Sequence, residues 1–152
     1  MQAKWTRLGA LAVAAIVAAG TALGAQTTEK YTARLGWVPI AGAERANVTG
    51  KGSATATVTG SKLTINGSFD GLAAPATVAR LHRGVAKGAR GPAIADLVVT
   101  KSASGNGGTI AGAVDLTAEQ VESLKQGRLY IQLHSEKGVA PDGSNLWGWF
   151  LR

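Results

Sequence analysis

The chain has 152 residues, with 16 Lys and Arg against 9 Asp and Glu, and it contains no Cys. The absence of Cys excludes a disulfide framework, thiolate metal sites and a cysteine nucleophile. The formal net charge of +7 favours anionic partners, although a charge of this size also keeps an ordinary small domain soluble.

The first 25 residues have the pattern of a secretory signal peptide. Lys4 and Arg7 precede an apolar run at 8–23, and two small residues follow at 24–25. The run is short for a transmembrane helix, which needs about 20 apolar residues. We therefore expect a signal peptide over 1–25, a periplasmic or extracellular location, and no stable membrane anchor after cleavage. An uncleaved membrane anchor is the alternative.

The remaining chain, 26–152, is long enough for one domain with one hydrophobic core. Without Lys4 and Arg7 it has 14 basic residues against the same 9 acidic ones, a net charge of +5. No repeat, linker or low-complexity segment divides it. We therefore predict a single domain over 26–152.

Most of this domain alternates apolar and polar residues with a period of two, which is typical of strands. The run ATATVT at 54–59 and the run from Leu63 to Phe69 flank Gly60-Ser61, a pair suited to a hairpin turn. Further strands are predicted at 30–37, 76–82, 94–101, 109–114, 129–134 and 146–151. We therefore predict a mostly β fold, an antiparallel Greek-key or immunoglobulin-like β-sandwich.

One short helix is predicted at about 117–126. Thr117 can act as the N-cap, with Gln120 as its partner in a capping box. Gly127 suits the left-handed conformation that ends many helices. Few apolar residues lie in this segment, so it is expected to be a short crossover between strands and not a recognition helix.

Five segments of the chain carry a resemblance to a known family. They are GSFDGL at 67–72, VARLHRG at 78–84, GP at 91–92, DLTAEQVESLKQGRLYIQLHS at 115–135, and a terminal strand after PDG. In this order and separation they resemble the CHRD domain, named from chordin and found in many exported bacterial proteins. The resemblance implies an antiparallel sandwich, an extracytoplasmic location and a largely undefined role in bacteria. Family members commonly have His-x-His before Arg-Gly, whereas this chain has Arg80-Leu81-His82.

His82 and His134 are the only histidines, and both lie at predicted strand ends. Their rings could meet if the two strands are neighbours, which is the basis of an alternative function as a Cu or Zn binding or redox protein. Such a site needs three or four ligands, and the supplements would be Asp70, Glu136 or Asp142. Because Arg80 opposes cation binding, we instead expect structural hydrogen bonds to the backbone or to Gln132, and no metal or other cofactor.

A basic, glycine-rich segment begins in the strand predicted at 76–82 and continues into the loop after it. It contains Arg80, His82, Arg83, Lys87 and Arg90 and no acidic residue. Arginine forks and exposed backbone N–H groups suit phosphate, sulfate or carboxylate, so these five residues are the candidate site for an anionic polymer or protein partner. A solvated loop without a ligand is the alternative.

Trp147 and Trp149 share one face of the last predicted strand, and paired indoles can form an aromatic platform for sugars or a protein interface. We expect the two indoles instead to fill one end of the core, with the aromatic platform as the alternative. No Gly-x-Ser-x-Gly elbow and no nucleic-acid-binding pattern is present. We therefore predict an exported, non-catalytic binding or structural module, with no nucleic acid among its partners.

Overall fold

The computed structural model describes residues 26–152, so the predicted signal peptide lies outside the described residues. In this part of the chain, strands dominate, with one α-helix and one 3-10 helix. The elements in chain order are β1 (Thr28–Trp37), a 3-10 helix (Gly42–Ala46), β2 (Lys51–Thr59), β3 (Lys62–Asp70), β4 (Ala76–Arg83), β5 (Ala93–Lys101), β6 (Gly108–Asp115), α1 (Ala118–Lys125), β7 (Leu129–Val139) and β8 (Ser144–Trp149).

The eight strands form a closed antiparallel barrel in the order β1-β2-β3-β6-β5-β4-β7-β8. The prediction of a mostly β fold with one short helix is confirmed, but the prediction of a sandwich is wrong. Two strands explain the difference, because each changes partner along its length. β1 pairs with β2 over 28–35 and with β8 at Gly36 and Trp37. β5 pairs with β4 over 93–97 and with β6 over 98–101, so no open sheet edge remains between the two halves.

The inside of the barrel is filled by the apolar residues of each alternating pattern. Ala54, Ala56 and Val58 of β2 are buried, as are Leu63 and Ile65 of β3. The threonines between them face outward and are partly or fully exposed. Alternation therefore predicted the inward face of these strands correctly.

Helix α1 begins and ends where its local sequence predicts. The hydroxyl of Thr117 accepts a hydrogen bond from the Gln120 backbone N–H, and the Gln120 side chain accepts one from the Thr117 N–H at 2.9 Å. Gly127 follows the helix with a φ of 67°. The 3-10 helix was not predicted. Within residues 26–152, no helix combines the length and the apolar character needed to cross a bilayer.

Leu146 lies where β8 pairs with β1 and closes the barrel, so a substitution there tests the closure. Its backbone lies opposite Trp37 of β1 and Leu133 of β7, and its side chain is fully buried. Leu146→Ala would leave a cavity next to the closing strand pair, so we expect the free energy of unfolding to fall by about 2–5 kcal/mol. Chemical denaturation measures this loss.

Val98→Ala is the matched control, because Val98 lies on the outer face of β5 and is 66% exposed. Its free energy of unfolding should change by less than about 0.5 kcal/mol. Equal effects of the two substitutions would contradict the position of Leu146 in the core.

Candidate functional site

A second cluster of buried and half-buried side chains lies on the outer faces of β4, β7 and β8. We call it the outer cluster, and its members are His82, Tyr130, Gln132, His134, Trp147 and Trp149. From Leu129 to Ser135 every residue of β7 is buried, so this strand is covered on both faces. The core side is Leu129, Ile131 and Leu133, whereas the outward residues are covered in part by the loop at 84–92. Polar and aromatic side chains are thus packed outside the barrel core.

Tyr130 is the centre of this cluster and is only 1% exposed. Its ring stacks on the His82 ring with centroids 4.8 Å apart and an interplanar angle of 21°. On another side it contacts Trp149 at 4.4 Å, and it meets Trp147 edge to face at 6.1 Å. These geometries are favourable for aromatic pairs, so the ring of Tyr130 fixes the positions of three neighbours.

Gly91 attaches the loop at 84–92 to the cluster. Its carbonyl oxygen accepts hydrogen bonds from His82 Nδ1 at 3.0 Å and from the Tyr130 hydroxyl at 3.2 Å. Its backbone N–H lies 3.2 Å from the same hydroxyl. A Cβ at this position would lie 1.8 Å from the Arg83 carbonyl oxygen, so only glycine fits. The loop therefore has a defined position over the sheet.

His82 is held in its neutral form. Because Nδ1 contacts a carbonyl oxygen, it carries the proton, and Nε2 is buried with no hydrogen-bond partner among the described residues. Burial lowers the pKa of His82, and the nearby His134 and Arg80 lower it further, against a smaller opposing effect of the Gly91 carbonyl. A second proton on this ring would have no acceptor.

His134 is 2% exposed, and both of its ring nitrogens are occupied. Nδ1 donates to the Asp142 carbonyl oxygen at 2.9 Å, and Nε2 accepts from Gln132 Nε2 at 3.3 Å. Gln132 also donates to Ser144 Oγ at 2.6 Å, and that hydroxyl donates to the Asp142 carboxylate at 2.5 Å. These contacts are the backbone and Gln132 hydrogen bonds expected of a structural histidine.

The Asp142 carboxylate belongs to the hydrogen-bond network of His134, Gln132 and Ser144. Burial raises the pKa of Asp142, but the two hydrogen bonds from Ser144 and the nearby His134 and Arg90 together outweigh burial, so the pKa lies below its ordinary value. The ionised carboxylate thus accepts from both the Ser144 hydroxyl and the Ser144 backbone N–H.

The two histidines do not converge on a common position. β4 and β7 are neighbours, as the metal hypothesis required, but His82 lies opposite Tyr130, and His134 lies four residues further along β7. Arg80 lies opposite Gln132, between them. Across residues 26–152, no three His, Asp or Glu side chains are grouped so that they could hold a metal ion.

The basic residues of the candidate anion site are spread over several surfaces. Arg80 Nε donates to Asp96 at 2.9 Å, and Arg83 forms an ion pair with Glu119 at the start of α1. Lys87 lies beside the other end of α1, next to Gly127. Arg80 also lies beside the outer cluster, opposite Gln132, but its charge is paired with Asp96. Arg90 approaches the cluster from the loop, with its guanidinium carbon 5.4 Å from the centroid of Trp147. The structure therefore brings Arg80 and Arg90 together with His82 and the aromatic residues, but not Arg83 and Lys87.

Trp147 and Trp149 lie on the same outer face of β8, as predicted. Their ring centroids are 6.1 Å apart with an interplanar angle of 64°, so the two indoles meet at an angle and do not form one flat surface. Both are partly exposed. Neither belongs to the barrel core, so the prediction that they fill one end of the core is wrong.

Sequence reasoning missed Tyr130, Gly91 and Ser144 as parts of this site. The outward residues of β7 provided a signal, because Tyr130, Gln132 and His134 are bulky and include no Asp, Glu, Lys or Arg. Strands exposed to water usually place charged or small polar residues there. An uncharged, bulky outward face thus indicates a covering loop.

His82 makes the outer cluster sensitive to pH. Its folded-state pKa is lowered, so the unfolded chain binds this proton more readily than the folded protein does. The stabilisation is complete above the ordinary pKa of about 6.5 and is lost as pH falls below it. We expect the free energy of unfolding to decrease between about pH 7.5 and 5.5, where carboxyl groups stay ionised. Denaturation at both pH values measures the decrease.

His82→Phe is the comparison, because phenylalanine keeps a ring against Tyr130 but cannot titrate. The free energy of unfolding of this variant should depend less on pH over the same range. An identical pH dependence of the two proteins would show that His82 does not carry the effect.

Most of the chain matches a known protein family. A sequence model of the CHRD domain matches residues 38–143, which is more than half of the chain and contains β2 to β7. A search of curated proteins and a search of solved structures each gave no match. The matched part includes His82, Tyr130, Gln132 and His134 of the outer cluster, together with the loop that covers them. The chain therefore belongs to the CHRD domain family.

Proposed function

We propose that this protein is an exported, non-catalytic binding module that contacts an anionic partner through Arg90 and the adjoining face of the outer cluster. The partner is an anionic polymer or an acidic protein surface. Export is proposed from the signal-peptide pattern of residues 1–25.

The position of Arg90 is the observation that carries the proposal. Its guanidinium lies over the Trp147 ring at 5.4 Å, and the neighbouring Gly91 is fixed by His82 and Tyr130. Arg80 and Arg83, by contrast, are ion-paired with carboxylates of the same chain. A cation that is already positioned loses less conformational freedom when it binds an anion.

The non-catalytic part of the proposal is supported by the roles of the two histidines. Both ring nitrogens of His134 are used in hydrogen bonds within the protein. The free nitrogen of His82 is buried, and it has no carboxylate or hydroxyl partner among the described residues. Neither ring is therefore arranged as a general base next to a nucleophile.

Retention on a heparin column tests the proposal, with heparin as the polyanion probe. We expect Arg90→Ala to elute at clearly lower salt than the unaltered protein, because a positioned arginine is lost. Arg90→Lys, which keeps the charge, should be intermediate.

Lys101→Ala is the matched control, because it removes the same charge from an exposed position at the end of β5. Its elution should shift less than that of Arg90→Ala. Equal shifts for the two variants would mean that net charge alone governs retention, and the proposed surface would be wrong.

A further inference from the structure

We propose that the groove between the outer faces of β8 and β1 binds an oligosaccharide chain that carries carboxylate groups. The inference rests on the proposed function, since it gives the anionic partner a chemical class. It also adds a second contact surface, on the opposite side of the two tryptophans from the loop at 84–92.

The groove is formed by outward residues of the two strands that close the barrel. Thr32, Arg34 and Gly36 of β1 form one wall, and Trp147 and Trp149 of β8 form the other. Its volume of about 530 Å³ falls within the range of about 300–1,000 Å³ that is usual for ligand sites. A ligand of one or two sugar rings fits such a space.

Gly36 leaves open space in the β1 wall of the groove, although neither packing nor backbone conformation requires a glycine there. A Cβ at this position would meet nothing within 4 Å, and Gly36 is not among the glycines with a positive φ. Gly148 in the same groove differs, because its Cβ would lie 2.4 Å from the Arg34 carbonyl oxygen. Glycine within a strand destabilises the fold relative to alanine, because the unfolded chain loses more conformational freedom on folding. At Gly148 the close packing requires glycine. At Gly36 the packing does not require it, and the missing side chain leaves open space next to Trp147.

The lining of the groove matches an acidic sugar. Indole rings offer apolar faces to the C–H face of a sugar ring, and both indoles here are partly exposed. Arg34 is exposed and makes no ion pair within the part of the chain that the structure describes. Its planar fork suits a carboxylate. The other groove cation, Arg152, is already paired with Glu29 at 2.5 Å, so Arg34 carries the uncompensated charge.

A neighbouring depression extends the surface beyond one or two sugars. Arg34 also lines this second space, together with Lys51, Ser53 and Ser68 on the outer faces of β2 and β3. These residues add another cation and two hydroxyl groups, with Asp70 as the acidic residue of the lining. A linear chain with a repeated carboxylate can reach Arg34 and Lys51 together. The occupant is therefore a chain and not a single sugar.

Isothermal titration calorimetry with tetragalacturonate tests the inference. We expect the purified protein to bind this acidic tetramer at least about tenfold more tightly than galacturonate monomer or a neutral tetramer of the same length. A charged hydrogen bond is worth about 1.5–3 kcal/mol, which corresponds to a factor of about ten or more. Equal affinity for the neutral tetramer, or tighter binding of a tetraglutamate peptide, would overturn the assignment to an acidic sugar.

Gly36→Leu locates the site, because the new side chain would lie opposite Trp147 in the groove. Affinity for the tetramer should fall at least about tenfold, and Arg34→Met should cause a similar loss. Ala111→Leu adds a larger side chain at an exposed position of β6 and should bind as the unaltered protein does. Thermal unfolding of all three variants checks that the fold is kept. Unchanged binding by a folded Gly36→Leu protein would overturn the groove.

Heparin retention separates this inference from the proposed function. If tetragalacturonate does not bind while Arg90→Ala still lowers retention, the groove assignment fails and the proposed function stands. If Arg90→Ala leaves retention unchanged while Gly36→Leu abolishes tetramer binding, the loop surface fails and the groove stands as an independent site.

Discussion

Pairing between β1 and β8 joins the two ends of the domain and converts a long sheet into a closed barrel. The contact is short, with Gly36 opposite Trp147, Trp37 opposite Leu146, and an added bridge between Thr32 and Leu151. Without it, β1 and β8 would be open edges with unpaired backbone groups. The same pairing sets the outer faces of these strands side by side, and so it creates the groove that Arg34 and the two tryptophans line.

A second consequence of the strand order is that β7 lies between β4 and β8, with a loop over its outer face. Burying Tyr130, Gln132 and His134 there removes polar groups from water, which is unfavourable unless they are hydrogen-bonded. Gly91, Ser144 and the Asp142 carbonyl provide those partners. His82 is the exception in this cluster, because its Nε2 finds no hydrogen-bond partner within residues 26–152, so only the neutral ring is tolerated. The outer cluster thus holds Trp149 against Tyr130 and Trp147 beneath Arg90.

The sequence predicted which side chains of the candidate site share a strand face, but it did not predict which residues are in contact. Alternation correctly placed Arg80 with His82 and Trp147 with Trp149 on common outward faces. It could not pair Arg83 with Glu119, because these residues are 36 positions apart and meet only in the folded domain. Nor could alternation show that Arg80, Arg83, Lys87 and Arg90 have different neighbours in the fold. A run of basic residues in a sequence records spacing along the chain, whereas their partners depend on long-range packing.

The sequence by itself determined everything whose cause is local. The alternation of apolar and polar residues predicted the hairpin strands. The capping box of Thr117 and Gln120, together with Gly127, predicted where α1 begins and ends. Only the tertiary structure decided that the strands close into a barrel, because inward and outward alternation is the same in a sandwich and in a barrel. It also decided which surfaces are available for binding. Closure depends on where β1 and β5 change partners, and that exchange is a property of the whole sheet and not of either strand alone.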